Sequence, residues 1–263
     1  MKTNNLRIGK IPFTNLFPIF YYLENECRRP EYTFTEGVPS QLNRMLRDGE
    51  IDVSPSSSIE YLRHKDKYSI IPWTSISATG SVGSIFLFSH YALESLEGKN
   101  ISVSSHSETS VVLLKIIMKQ FLSMNCTFTV TEGVSAEENL ENADATLLIG
   151  DEAMREAQEF TGNIFDLGGL WHKHTGLPFV FALWIARKDS LAEKKELIKK
   201  LSEDLIAAKK YIPKNLSLLA EKAPMNKLLS EKKLITYWNG ISYDFTDEHL
   251  EGLMLFDKYA KKL

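Results

Sequence analysis

The chain has 263 residues, 43% of them hydrophobic, and its 31 basic and 34 acidic side chains leave a net charge of -3. That length can bury one large core or two of ordinary size, and the evenly mixed charges leave no basic stripe for nucleic acid. No apolar stretch nears the roughly 18 residues of a membrane span. The first residues run into a strand without an apolar signal core, so a cytoplasmic protein with no membrane partner is expected.

Leu6–Ile11 reads as a short strand, followed by the loop Pro12-Phe-Thr-Asn-Leu-Phe-Pro18 and an apolar helix over Ile19–Glu26, with Thr14 or Asn15 as a natural N-cap. Tyr32–Glu36 alternates as a strand. In 39–47 the apolar positions 42, 45 and 46 make a helix face that Gly49 ends. Ile51–Val53 is a very short strand that opens into the loop Ser54-Pro-Ser-Ser-Ser58, with a helix over Ile59–His64. Strand, helix, strand, helix is the rhythm of a parallel sheet with right-handed crossovers.

Tyr68–Trp73 is followed by Ser75–Ser84, read as a loop of small and polar residues, and then by the apolar run Ser84–Ser89. A second series follows: strand Asn100–Ser104, loop Ser105–Ser110, helix Val111–Ser123, strand Thr127–Val130, an acidic helix Ala136–Ala143, strand Ala145–Ile149 and helix Glu152–Glu159. Phe179–Ile185 is a continuous apolar run of strand formers, the pattern of a strand covered on both faces. The remainder is mostly helical, with apolar residues at helical spacing in Glu248–Tyr259. The runs 84–89 and 179–185 suggest the two crossings of a two-lobed α/β protein with a ligand cleft between its lobes. The expected lobes are 1–88 with 181–263, and an inserted 89–180.

In open α/β sheets ligands lie beyond the carboxyl ends of the strands, near helix starts. Four such junctions stand out: Thr14-Asn15, Ser56-Ser57-Ser58, Ser107–Ser110 and Gly150-Asp151. Their backbone N–H groups suit an anion such as a carboxylate, although each alone also reads as an ordinary N-cap. Their clustering is the signal. Asn15, set among an aromatic residue and prolines, is the choice for chemistry, since its amide can donate to a ligand oxygen. Asp151 is read either as a helix cap or as a group that orients a ligand hydroxyl or protonates a leaving group. His106 and Glu108 flank the second series' loop and are read either as its solvated edge or as a base or acid.

The six histidines form no metal pattern, His172-x-His174 lacking a third ligand. Cys27 and Cys126 have neither metal nor redox spacing and read as reduced, packed thiols. Phosphate loops, nucleophile elbows and zinc spacings are absent from the sequence.

Several segments together resemble the chorismate dehydratases of the futalosine route to menaquinone. They are Ser40–Leu62, Ser84–Ser89, Thr109–Leu114, Leu147–Asp151, Asp166-Leu-Gly, Trp171, Ile241–Asp244 and, most specific of all, Thr175-Gly-Leu-Pro-Phe-Val-Phe-Ala-Leu-Trp184. The resemblance implies a type II periplasmic-binding-protein-like fold without a secretion signal. It also implies loss of water from chorismate to give 3-[(1-carboxyvinyl)oxy]benzoate, with no metal or organic cofactor. The substrate's own enolpyruvyl carboxylate would serve as the base. The family's loop asparagine falls on Asn15, its crossing-loop serine on Ser84, and its second-lobe helix-start residues on Ser107, Thr109 and Ser110. Ser56, Ser57, Gly150 and Asp151 complete the expected substrate contacts. The chain departs from many relatives at Phe13-Thr-Asn-Leu-Phe-Pro18, at Ser56-Ser57-Ser58 and at Glu108. The alternatives are a binding or sensor protein for a small carboxylate and the related 1,4-dihydroxy-6-naphthoate synthase, whose early cysteine-containing loop is not found.

Overall fold

A computed structural model describes residues 5–104, 108–131 and 135–263. The chain passes through β1 (Leu6–Lys10), β2 (Tyr32–Glu36), β3 (Val53–Ser57) and β4 (Tyr68–Ala78). It then enters β5 (Ile85–Ser89), β6 (Asn100–Ser104), β7 (Thr127–Thr131), β8 (Ala145–Ile149) and β9 (Asn163–Asp166), and returns in β10 (Phe179–Arg187). Two five-stranded sheets result, ordered β2-β1-β3-β10-β4 and β7-β6-β8-β5-β9. The two orders are the same pattern. In each, a run of parallel strands is interrupted in fourth place by an antiparallel strand that has just arrived from the other part of the chain.

The chain separates into two compact units, Met1–Ser77 with Val180–Thr246, and Ala78–Phe179 with Asp247–Leu263. These bounds differ from the expected ones in two places. The strand β5, expected at the edge of the first lobe, lies inside the second sheet between β8 and β9. The C-terminal helix Asp247–Ala260, expected with the first lobe, packs in the second unit. There the Phe256 ring lies 4.9 Å from Phe179, and Tyr259 lies 5.3 Å from Phe121. A side chain at Gly252 would put its Cβ 2.2 Å from the Pro178 carbonyl oxygen, so only glycine permits that approach.

In the first unit Leu6, Ile8 and Val53 are fully buried in the sheet, and Leu183, Trp184 and Ile185 fill β10. Helix Pro39–Asp48 covers this sheet with Leu42, Asn43 and Leu46. Proline sits in its first turn, and Gly49 at φ 80° ends it, a backbone state glycine adopts without strain. Gly9 in β1 is required by close packing, because a Cβ there would lie 2.5 Å from Ser54 Oγ.

Two stretches read as loops are strands. Ser54–Ser57 forms most of β3, its register fixed by β10 from Ala186↔Val53 to Ala182↔Ser57. Pro55 is tolerated there because the pairing of β3 with β1 is confined to Ile8↔Val53. Likewise β4 continues through Ser75, whose amide donates to the Tyr243 carbonyl, and Ser77, which exchanges backbone hydrogen bonds with Ser242. Pairing partners distant in sequence override weak strand propensity at both places.

The second unit buries Leu87, Ile101, Val103 and Leu147 in its sheet, and Leu113, Leu114 and Ile117 of the helical segment after β6. Helix Glu108–Ile116 runs on through a π-helical turn, Ile117–Phe121. No helix among the described residues is long and apolar enough to cross a membrane.

Candidate functional site

Polar side chains collect at the carboxyl ends of the parallel strands in each unit. In the first unit β1 leads into 11–16, where the Phe13 carbonyl accepts from the amides of Leu16 and Phe17, both at 3.0 Å. The turn presents Thr14 and Asn15. Two aromatic side chains from much later in the chain hold it from behind: Trp238 Nε1 donates to the Thr14 carbonyl at 2.8 Å, and Tyr243 Oη donates to the Asn15 carbonyl at 2.7 Å. The Phe17 ring stacks on Trp238 with centroids 6.3 Å apart.

The expected capping role fails at three of the four junctions. Helix Phe17–Tyr21 takes Leu16 as its N-cap, helix Ser58–Arg63 takes Ser57, and helix Gly150–Glu156 takes Ile149, none with a side-chain cap bond. Asn15 is therefore not the expected cap, and Asp151 lies within the first helical turn. Side-chain caps occur elsewhere, at Ser135, Asp166 and Ser230. Helices Phe17–Tyr21, Ser58–Arg63 and Gly150–Glu156 have only 5, 6 and 7 residues, so their dipoles give an anion less than expected from sequence.

Instead, Asn15 Oδ1, Ser56 Oγ, Ser58 Oγ and Thr74 Oγ1 are buried with no hydrogen-bond partner among the described residues. Each buried, unsatisfied polar group costs about 1–3 kcal/mol. A group kept at that cost calls for an explanation, and a bound ligand supplies one. The indole N–H groups of Trp171 and Trp184 are unsatisfied too. Those rings have large apolar surfaces that gain from burial, a gain a serine or asparagine lacks. Ser57 points the other way from Ser56 along the pleat, and its hydroxyl accepts from Asn43 Nδ2 at 3.4 Å. Asn43, Thr74, Trp238 and Tyr243 are absent from the sequence-based site, whereas Ser58 belongs to one of its four junctions. Asn43 left one trace, as a polar residue on the buried face between Leu42 and Leu46.

In the second unit the pairings Ile85↔Ile149 and Val103↔Leu147 bring one end of the sheet together. The Gly150 amide donates to the Ser84 carbonyl at 2.7 Å, and Gly150 takes φ 64°. Ser84, Thr109 and Ser110 are buried at that end, the last two in the first turn of helix Glu108–Ile116. The Asp166 carboxylate holds the segment leading to Ser84, accepting from the amides of Val82 at 3.0 Å and Gly83 at 2.7 Å while capping Gly169 at 2.9 Å. Thus Ser84, Thr109, Ser110, Gly150 and Asp151 lie at strand ends of the second sheet, and Asn15 and Ser56 at strand ends of the first, with the Ser57 hydroxyl turned to Asn43. Ser107 lies outside the described residues, as does His106.

The buried carboxylates of Asp52, Glu60 and Asp204 are satisfied. Asp52 accepts from Arg7 Nη2 at 2.7 Å, Ser190 Oγ at 2.9 Å and Lys194 Nζ at 2.6 Å. Burial pushes its carboxyl pKa up, but these bonds and that from the Arg7 amide outweigh it and hold the pKa well below the usual range. Asp204 is likewise lowered, burial being outweighed by hydrogen bonds from Arg29 and Tyr32. Cys27, beside it, is pushed up to about 11 by burial and by Asp204, which leaves an unreactive thiol. Glu60 pairs with Arg47 and Tyr68. His172 lies 3.4 Å from the Leu177 carbonyl, and His174 stacks on Phe121. Among the described residues no group of three His, Cys, Asp or Glu side chains is placed to hold a metal.

Comparison with known proteins adds to this geometry. A family model described as menaquinone biosynthesis matches residues 6–262. A chorismate dehydratase of Thermus thermophilus is 33% identical over 199 residues, 70% of each chain. One from Campylobacter jejuni is 29% identical over 211 residues, 78% of this chain and 76% of that one. A 1,4-dihydroxy-6-naphthoate synthase of Thermus thermophilus is 26% identical over 187 residues, 70% of this chain and 66% of its own. Among solved structures, an Archaeoglobus fulgidus protein superposes with a TM-score of 0.80 at 18% identity, covering 100% of this chain and 98% of that one. A Candida albicans protein described as having the generic periplasmic-binding-protein fold gives 0.67 at 12% identity, covering 98% and 90%. The structural likenesses show the fold alone.

Proposed function

The chain belongs to the menaquinone-biosynthesis family, and from that premise we propose that it removes water from chorismate to give 3-[(1-carboxyvinyl)oxy]benzoate. It would act as a carbon–oxygen lyase. The reaction needs a proton taken from ring C3 and hydroxide lost from C4. The C3–H electron pair becomes part of the ring's π system, the C4–O bond breaks, and the proton joins the departing oxygen as water. The C3 proton is vinylogous to the ring carboxylate, so hydrogen bonds to that carboxylate help it leave, and aromatisation drives the step. Binding and fixed dipoles are then the main demands on the protein.

The observation that carries this reading is Asn15, held at the end of β1 with its carbonyl bonded to Tyr243 while its amide oxygen is buried without a partner among the described residues. We assign Asn15 to the reacting part of the substrate. Ser56, Ser84, Thr109, Ser110, Gly150, Asp151 and Ser107 are proposed for its polar groups, as the resemblance implies. The base is taken to be the substrate's enolpyruvyl carboxylate, as the resemblance implies, and no cofactor enters. The two cysteines form no disulfide, in keeping with a reducing cytoplasm.

The test is turnover of chorismate by the wild-type protein and by Asn15→Ala. The variant is expected to fold normally and lose on the order of 100- to 1000-fold in kcat, the scale of one lost dipole in such a site. Near-normal turnover in the variant removes Asn15 from the mechanism. The naphthoate synthase, at lower identity, is the second reading. Inertness toward chorismate in the wild type favours it, or a protein that only binds.

A further inference from the structure

We infer that Tyr243 is a positioning residue: its hydroxyl, with the Trp238 indole, sets the angle at which the 14–15 turn presents the Asn15 side chain. The inference rests on the reading of Asn15 given above. The two donors take successive carbonyls of the turn, at 2.7 Å from Tyr243 Oη to Asn15 and at 2.8 Å from Trp238 Nε1 to Thr14. With both peptide planes held, the side chain has only its own two torsions left. Neither donor touches the Asn15 amide oxygen, which stays unsatisfied among the described residues. The bonds therefore orient the group without occupying it.

The clamp is itself braced. Ser242 and Ser77 exchange backbone hydrogen bonds at 2.8 and 2.9 Å, and the Ser75 amide donates to the Tyr243 carbonyl at 3.2 Å. Segment 242–243 thus lies against β4 through the single antiparallel bridge Ser77↔Ser242, and Lys209 forms an ion pair with Asp244 at 2.5 Å. Tyr243 is 8% exposed. Burial, with a smaller push from Tyr237, raises its hydroxyl pKa well above the ordinary value, so it remains a neutral donor at working pH. A tyrosine needed only to fill space would leave its hydroxyl at an interchangeable acceptor. Here the acceptor is the backbone of the residue chosen for chemistry.

Tyr243→Phe removes one oxygen and keeps the packing. It is expected to lower kcat for chorismate about tenfold, with KM changed less than about twofold, a loss confined to alignment. In the Asn15→Ala background the same substitution is expected to add nothing, since the group being aligned is gone. Tyr211→Phe, which removes a tyrosine hydroxyl bonded to Glu26 at 3.1 Å, serves as a control with unchanged turnover. An unchanged kcat in Tyr243→Phe, or a loss that repeats in the Asn15→Ala background, overturns the inference. Wild-type protein inert to chorismate sinks the functional reading instead. The clamp is then judged by NMR of the Asn15 side-chain amide: shifted or broadened signals in Tyr243→Phe support it, and unmoved signals overturn it.

Discussion

At the amino end of β3, Asp52 receives bonds from Arg7, Ser190 and Lys194; at the other end of the same strand, Ser56 buries a hydroxyl with no partner among the described residues. Both residues are shut away from water, at 1% and 0% exposure. At Asp52 the chain brings in two cations and a hydroxyl until the carboxylate is fully matched. At Ser56 it brings in nothing, and Ser58 and Asn15 repeat that pattern nearby in the sequence and at the adjacent strand end. Burial alone therefore does not mark function in this molecule. We read burial without a partner at Asn15, Ser56 and Ser58 as the mark of ligand contact, since these side chains have little apolar surface to offset the desolvation.

Substitutions at the two ends of β3 are expected to separate stability from activity. Asp52→Asn leaves Arg7 and Lys194 facing a neutral amide, and breaking such a buried pair costs about 3 kcal/mol. That corresponds to a fall of roughly 6–12 °C in melting temperature for a chain of this size class, read by calorimetry, with kcat at 20 °C unchanged. An undiminished melting temperature would undo the contrast.

The same node sets the acid limit. The folded protein keeps Asp52 and Asp204 ionised to lower pH than the unfolded chain does. As pH falls below about 4, the unfolded state takes up these protons first, and stability drops. Urea unfolding between pH 5 and pH 3 is expected to show this decline, flattened in Asp52→Asn; parallel curves for the two proteins would assign the acid sensitivity elsewhere.

Ser56→Ala is expected to raise stability by about 1 kcal/mol or more, because an unsatisfied group is lost, while KM for chorismate rises. A clear destabilisation would mean that the hydroxyl has a structural partner after all. Smallest of all is the effect of exhaustive chelation, for which no change in turnover is expected. Activity lost and then restored by one added metal would reject the cofactor-free reading.

Much of this arrangement is legible in the sequence, and the failures have a common cause. The apolar run in β10 and the helix face of 39–48 announce themselves by pattern alone. Ser54–Ser57 and Ser75–Ser77 do not, since serine and proline disfavour strands and only β10 and segment 242–244 make them so. The amphipathic C-terminal helix is visible as a helix, but its choice of unit depends on Trp171, Phe179 and Phe121 receiving its aromatic face. Asn15 stands out by its neighbours, whereas the clamp behind it comes from residues more than two hundred positions later. Local motifs carry the family resemblance, whereas only the fold shows that Leu16 and Ser57, and not Asn15 and Ser56, hold the N-cap positions.

The most direct measurement is to incubate the purified protein with chorismate and follow the mixture by chromatography and mass. The prediction is a product lighter by one water that forms in proportion to enzyme and fails to form with Asn15→Ala. Chorismate recovered intact from active-site-saturating incubations with folded protein would contradict it.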